Sequence, residues 1–268
     1  MDPLQGNEAI QQFIQLLEEN NRKGQASGLS QLIQYMDGMV RQFDAVVQEL
    51  QEVKEQLALT QMSPQKKALG RMVDTLEGKV QQARSMLDSL REKVSRCAAR
   101  AVREFKETGV SALDRAVTAL RVKRALEGLQ KSLGGAVSGA KKSIETVERM
   151  GCELRSAGGH LKNAGRAMTG KEMLTVDGGR EGRIQAVLLV PLRTTRNLLS
   201  KMSNATLAAI GSVEHLEQTA EAAREARAER KAEKKPSVRQ DLEEKKAAIA
   251  ARAASLPEKE HSPQEAAL

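Results

Sequence analysis

A strict seven-residue repeat of apolar positions begins at Leu29 and continues to about residue 62. One line of the repeat, with further apolar residues three or four positions away, runs through Leu29, Met36, Phe43, Leu50 and Leu57. This spacing is typical of a coiled-coil helix. A second line with the same period widens the apolar face and consists of Leu32, Met39, Val46 and Val53. A two-stranded seam does not need this second line, so we predict that it is a seam for a partner helix.

A second long helix is predicted to begin at Ser63 and Pro64. Serine at the N-cap and proline at the first helical position leave few unsatisfied backbone amides. Apolar positions then alternate by three and four from Leu69 to Ala101. The short connection predicts an antiparallel coiled-coil hairpin over residues 29–107. Its arms carry net charges of −3 (residues 29–62) and +5 (residues 65–107), which favours their pairing.

Residues 1–28 are predicted to form a short amphipathic helix followed by a loop. Ile10, Phe13 and Leu17 share one helical face, and the polar residues 20–28, with two glycines, interrupt the pattern.

Residues 109–170 are predicted to form a basic helical segment that contains many glycines and alanines. It follows a weak break at Thr108 and Gly109, and Gly134, Gly135 and Gly139 predict a kink or break near residue 134. Three further glycines, seven residues apart, line one stripe: Gly151, Gly158 and Gly165. Two interpretations of this stripe stay open, namely the close approach of another backbone or a flexible, partly frayed helix.

The remaining chain is predicted to begin with a turn or linker at residues 171–183, centred on Asp177-Gly178-Gly179. A helix follows over residues 184–232, and its apolar start at residues 184–192 is either a buried first turn or a short extended piece. A capping box at Ser237 and Gln240 opens a charged C-terminal helix within residues 233–268. The tail from Pro257 is expected to be disordered.

These elements predict an all-α protein, with an elongated antiparallel coiled-coil hairpin, additional long helices and a disordered charged tail. The composition agrees, because only four of the 268 residues are aromatic, namely Phe13, Tyr35, Phe43 and Phe105. Aromatic side chains usually dominate enzyme cores and ligand pockets. Their scarcity therefore argues against a compact two-layer enzyme core.

A cytoplasmic location is expected. The N-terminal residues are polar and acidic, unlike a secretory signal, and the longest apolar run (residues 186–190) is far shorter than the roughly 20 residues of a membrane span. Both cysteines, Cys97 and Cys152, lie within helical patterns, which fits a reducing compartment.

The net charge of +8 is concentrated in the middle of the chain. Residues 63–170 carry a net charge of +11, whereas residues 1–62 carry −5. Candidate phosphate contacts lie beside the seam of the second helix: Arg84, Arg91, Arg96, Arg100 and Arg103. They suit sequence-independent binding to nucleic acid, although few aromatic residues are available to stack on bases. The alternative is a solvated helical face, or charge pairing with a neighbouring helix.

No catalytic or metal-binding constellation is recognised. His160, His215 and His261 lie far apart, and Cys97 occupies a seam position. We therefore predict a non-enzymatic interaction or scaffold protein without cofactor, metal or small-molecule substrate. Its expected partners are helices, including a second copy of the chain. Nucleic acid is the second expectation, and a membrane surface contacted by residues 126–168 is the third.

Residues 235–246, KPSVRQDLEEKK, resemble a tail motif of accessory proteins from conjugative and other mobile elements of gut Gram-positive bacteria. Residues 1–230, with their coiled-coil pattern, are similar to a family of uncharacterised bacterial proteins from the same settings. The resemblance implies a bacterial cytoplasmic protein that is encoded near conjugation or relaxase functions. It implies no known activity, and it assigns no functional residue.

Overall fold

Residues 3–59, 64–175 and 183–254 are described by the structure, a computed structural model. A short 3-10 helix spans Leu4–Gly6, and six α-helices follow. They are α1 (Glu8–Glu19), α2 (Lys23–Leu59), α3 (Pro64–Thr108), α4 (Val110–Ala119), α5 (Lys123–Met168) and α6 (Arg183–Ala254). No strand occurs within the described ranges, so the all-α prediction is confirmed.

Ion pairs align α2 and α3 in opposite directions. Partners along α3 rise in residue number as those along α2 fall. The pairs are Lys54 with Asp74 (3.0 Å) and with Glu77, Asp44 with Arg84 (2.6 Å), and Asp37 with Arg91 (3.2 Å). Helices α2 and α3 therefore form an antiparallel pair, as the short connection between them predicts. The predicted cap Ser63 lies outside the described residues.

Helix α5 packs antiparallel to α3. Lys79 Nζ donates to Gly135 O at 3.3 Å, and Lys93 Nζ donates to the carbonyl of Arg121, two residues before α5, at 3.2 Å. Helix α6 in turn packs antiparallel to α5. Polar contacts between these two helices include Gln130 Nε2 to Ser203 Oγ (2.9 Å) and Lys123 to Glu214 (2.8 Å).

Helix α6 also packs against α2, so each of the four long helices contacts two others. Thr206 Oγ1 lies 3.4 Å from Met39 Sδ, and Ser212 Oγ donates to Gln31 Oε1 at 3.3 Å. Residue numbers again run in opposite directions. Helices α2, α3, α5 and residues 183–220 of α6 therefore form an up-down-up-down four-helix bundle within one compact unit, Met1–Ala220. Its core is almost entirely aliphatic, and Phe13 and Phe43 are its fully buried aromatic side chains.

The second unit, Glu221–Leu268, is described as helix to Ala254. The side chains described there are exposed or half-buried, and Leu242 and Ile249 are both exposed.

The predicted loop over residues 20–28 is wrong in its second part, because α2 begins at Lys23. Asn21 adopts a positive φ of 59°, and Arg22 N donates to Leu17 O at 2.7 Å, so α1 and α2 are joined within a few residues. A Cβ added at Gly28 would lie 2.8 Å from Leu216 of α6. This glycine allows the two helices to approach closely, and it does not end α2.

Of the kink or break predicted near residue 134, the break is wrong, because α5 is continuous from Lys123 to Met168. Leu133, Ala136 and Ala140 are buried on one face, and their packing outweighs the cost of about 1 kcal/mol for each neighbouring glycine. The chain breaks earlier instead, between α4 and α5, where Arg121 has a φ of 38°.

Residues 184–192 are helical, as one of the two predicted alternatives states, and Leu188, Leu189 and Leu192 are buried. The separate helix predicted to start at Ser237 is wrong, because α6 runs without interruption to Ala254. The helix continues although Pro236 lacks a backbone N–H and costs about 3 kcal/mol in a helix interior relative to alanine. The predicted turn at Asp177-Gly178-Gly179 and the tail from Pro257 lie outside the described residues.

Candidate interaction surface

The second apolar line of α2, predicted as a partner-helix seam, lies inside the bundle. Leu32, Met39, Val46 and Val53 are each at most 1% exposed. The contact between Met39 and Thr206 shows that α6 of the same chain is the second neighbour of α2. The prediction of a second neighbour is therefore correct. The line is not open to a separate partner, because a later helix of the chain already covers it.

Two of the five candidate phosphate contacts are paired with α2. Arg84 Nη2 lies 2.6 Å from Asp44 Oδ1. Arg91 is 5% exposed, and its Nη2 donates to Asp37 Oδ1 at 3.2 Å. Both arginines form ion pairs between α3 and α2, and Arg91 is not accessible to a phosphate. The signal in the sequence is the equal spacing, because the two aspartates and the two arginines are each seven residues apart.

The other three candidates, Arg96, Arg100 and Arg103, are exposed on α3. Arg96 pairs with Glu92 at 3.7 Å, and Arg100 Nε donates to Glu104 Oε1 at 2.6 Å. This hydrogen bond lowers the pKa of the Glu104 carboxyl and raises the pKa of Arg100. The three arginines remain accessible to an anion, but carboxylates accompany them.

The C-terminal part of α5 carries an apolar face that no described residue buries. Up to Gly151 the helix is packed in the bundle, whereas no residue of 152–168, which we call the α5 extension, is buried. Leu154, Leu161 and Met168 are 65%, 76% and 89% exposed. They continue the heptad of Leu133, Ala140 and Val147, all of which are buried in the core. The α5 extension therefore repeats the core pattern where the bundle offers no neighbour.

Small residues alternate with these large ones along the same face. Ala157, Gly158, Ala164 and Gly165 are all exposed. A Cβ added at Gly158 or Gly165 would meet no atom within 4 Å. The described part of the chain therefore places no backbone against these two glycines. Sequence reasoning identified the glycine stripe but did not show that the leucines beside it are uncovered.

The segment after α5 returns along a different side of the α5 extension. Asn163 Nδ2 donates to Leu174 O at 2.7 Å, and Asn163 Oδ1 accepts from Leu174 N at 2.8 Å. Arg166 Nε donates to Glu172 O at 2.6 Å. Asn163 and Arg166 do not belong to the line of Leu154, Leu161 and Met168. The returning segment is thus held in place while the apolar face stays open.

A polar clamp fixes the base of the α5 extension. Gln185 at the start of α6 accepts a hydrogen bond from Arg155 and donates one to Glu148 O at 3.5 Å. Glu148 also accepts a hydrogen bond from Arg193 at 2.9 Å. Gln185 occupies the space beside Gly151, where an added Cβ would lie 2.1 Å from Gln185 Oε1. Of the three glycines in the stripe, Gly151 therefore faces a side chain of the same chain. The hydrogen bonds of Gln185 fix the position at which α5 leaves the bundle.

No group of three potential metal ligands is assembled among the described residues. Cys97 is half-buried and Cys152 is exposed, and both are free thiols. His261 lies outside the described ranges. Within those ranges, no helix combines the length and the apolar character that crossing a bilayer requires.

A family of unknown function, DUF6674, has a model that matches residues 6–265. The chain belongs to DUF6674. The match covers the whole four-helix bundle and most of the second unit, so the resemblance to an uncharacterised family is confirmed. Comparison with curated proteins and with solved structures found no match. Membership of DUF6674 therefore identifies the family without assigning an activity.

Proposed function

We propose that the protein is a non-enzymatic helical scaffold that presents the α5 extension to another helix. The supporting observation is the exposed line of Leu154, Leu161 and Met168, which continues the buried heptad of the bundle. Exposed apolar faces of this kind are typical of interaction sites. The bundle supplies a rigid support, since its long helices share one aliphatic core.

The composition of the α5 extension also favours a partner. Each glycine in a helix costs about 1 kcal/mol relative to alanine, and short isolated helices are marginal in water. Gly158 and Gly165 are exposed in this segment, and no atom of the described residues lies within 4 Å of a Cβ added at either position. Burial against a second helix would offset this cost, and the small residues would let the two backbones approach closely.

The test compares Leu161→Asp with Leu207→Asp in capture experiments from the host. Leu207 is a suitable control because it is an exposed leucine (54%) on α6, away from the apolar face of α5. The wild type and Leu207→Asp should capture a helical partner, and Leu161→Asp should not. The purified partner should then bind the purified wild-type protein directly. Equal capture by all three proteins would contradict the proposal.

The setting that we propose is that of an accessory protein of a mobile genetic element, acting in the bacterial cytoplasm. Residues 235–246 support it through their resemblance to a tail motif of such proteins. Sequencing the genes beside the coding region tests this setting. Conjugation or relaxase genes are expected there, and a housekeeping operon would contradict it.

Sequence-independent binding to nucleic acid is the second candidate, and the exposure of Arg96, Arg100 and Arg103 favours it. Changing all three to glutamate should then abolish duplex binding, whose affinity should fall steeply with salt. The matched control reverses the charge of three lysines that are exposed on α5, namely Lys131, Lys141 and Lys142. Absence of binding by the wild type at low salt would exclude this candidate.

A further inference from the structure

We propose that the partner of the α5 extension is the same segment of a second copy of this chain, paired antiparallel. In this pairing Leu154 lies opposite Ala164 of the second copy, and Leu161 lies opposite Ala157 of the second copy. The inference rests on the proposed function and specifies its partner. The wild-type protein would accordingly be a dimer joined through two helices that extend from their bundles.

The order of residues along the face supports a second copy. From Leu154 the sequence is Leu-x-x-Ala-Gly-x-x-Leu-x-x-Ala-Gly-x-x-Met, which ends at Met168. When this pattern is reversed and placed against itself in this register, each leucine meets an alanine, and Met168 lies at the end of the paired stretch, opposite Met150 of the second copy. Both leucines fit at once, and the same contacts occur twice by symmetry. Interdigitation of large and small residues is how helical seams reach the density of a protein core.

The two edges of the seam also suit self-pairing. In an antiparallel pair each edge faces the same edge of the other copy. Within the α5 extension one edge consists of Gly158 and Gly165, and the other consists of Glu153, His160 and Ala167. Glycine against glycine permits close approach of the helices.

The basic side chains of the segment are Arg155, Lys162 and Arg166, and none occupies a seam or edge position. Two copies therefore meet without bringing their positive charges together, although the segment is basic overall. A partner chosen by charge would instead need acidic residues opposite these positions.

The contact is expected to be modest in size. At 1.5 Å per residue the α5 extension is about 25 Å long. It offers three large apolar side chains per copy, Leu154, Leu161 and Met168. Stable complexes usually bury about 1,200–2,000 Å² in total, and a single pair of helices of this length lies at the lower limit. We therefore expect a dimer whose population rises with protein concentration.

Sedimentation velocity over a range of concentrations tests the proposal with the full-length chain. The wild type and Leu207→Asp should show a concentration-dependent dimer, and Leu161→Asp should sediment as a monomer throughout. At a protein concentration low enough to keep both variants monomeric, circular dichroism should show equal helicity and melting, since Leu161 and Leu207 are exposed. A wild type that stays monomeric, or a dimer that survives Leu161→Asp, overturns the proposal.

Cross-linking then tests the register. In a chain with Cys97→Ala and Cys152→Ala, we expect His160→Cys to form an intermolecular disulfide rapidly, because this edge position lies next to the two-fold axis. Lys162→Cys faces away from the seam and should cross-link at least tenfold more slowly. Equal rates overturn the antiparallel register. A monomeric wild type that still captures a helical partner through Leu161 would overturn self-pairing alone and leave the proposed function supported.

Discussion

Asp37 joins three separate parts of the chain through one carboxylate. Its Oδ1 accepts from Leu4 N at 3.0 Å and from Arg91 Nη2 at 3.2 Å, and its Oδ2 accepts from Gln5 N at 3.1 Å. The carboxylate thus fastens the N-terminal segment to α2 and α3. Buried charges are tolerated when they are paired and hydrogen-bonded in this way.

Asp37→Ala should therefore destabilise the fold strongly, because it leaves the Arg91 guanidinium buried without this carboxylate. We expect a loss of about 3–5 kcal/mol in the free energy of unfolding. Asp44→Ala is the matched control, since it removes an ion pair of the same ladder whose aspartate is 53% exposed. Its loss should be at most about 1 kcal/mol. Urea denaturation measures both, and equal losses would contradict the role of burial.

Gly151 and Gly158 belong to the same stripe but should respond differently to alanine. An added Cβ at Gly151 would displace Gln185 from its hydrogen bonds with Arg155 and Glu148, whereas at Gly158 it would meet open space. Both variants gain the same helix propensity, so that gain cancels in the comparison. At low protein concentration we expect Gly151→Ala to be less stable than Gly158→Ala by about 1–3 kcal/mol. Thermal unfolding measures the difference, and the reverse order would contradict it.

Glu104 should titrate below the usual range of glutamates, because the Arg100 hydrogen bond lowers its pKa. A lowered pKa in the folded state means that this contribution to stability is present at neutral pH and is lost as the pH falls through the folded pKa. NMR titration of the wild type should show the shift. Arg100→Gln should remove it, while the control Arg96→Gln should retain it. An unchanged titration in Arg100→Gln would show that another group is responsible.

At the scale of the helix, α5 shows how far a periodic pattern determines structure. The heptad of Leu133, Ala140 and Val147 predicts a helix, and the structure confirms it through Gly134 and Gly135. Propensity alone predicted a break there, because it does not include burial against α3 and α6. The same limitation explains why residues 23–28 were predicted as a loop. Whether a glycine interrupts a helix therefore depends on the tertiary contacts around it, which helix propensity does not include.

The two parts of α5 should differ in hydrogen exchange. Amides of residues 126–147 lie in the bundle and should exchange only with global or large-scale unfolding. Amides of the α5 extension should exchange much faster in dilute protein, since no described residue packs on its apolar face. As concentration rises, protection should appear at residues 154–168 and remain constant at residues 126–147. Protection that is equal in both parts at every concentration would contradict this division.

At the scale of the whole molecule, charge and apolar pattern together predict much of the architecture. The opposite net charges of residues 29–62 and 65–107 correspond to real ion pairs, such as Asp44 with Arg84. The wide apolar face of α2 correctly predicts a second neighbour. The sequence does not show whether that neighbour lies in the same chain, because the contacting residues of α6 are 167 and 181 positions away and both alternatives place the same side chains at a seam. The pattern therefore predicts an open seam on α2, whereas the structure buries that seam and exposes Leu154, Leu161 and Met168 on α5.

The covering of α2 by α6 has a consequence for the order of synthesis. Leu32, Met39, Val46 and Val53 are translated long before residues 202–216 of α6, which close the bundle against them. At bacterial or eukaryotic elongation rates this interval lasts roughly 10–30 s. During that time the nascent chain displays an uncovered aliphatic face. A ribosome that stalls before α6 would release a polypeptide prone to aggregation. Synthesis of the last helix of the bundle therefore determines when the newly made chain can bury this face.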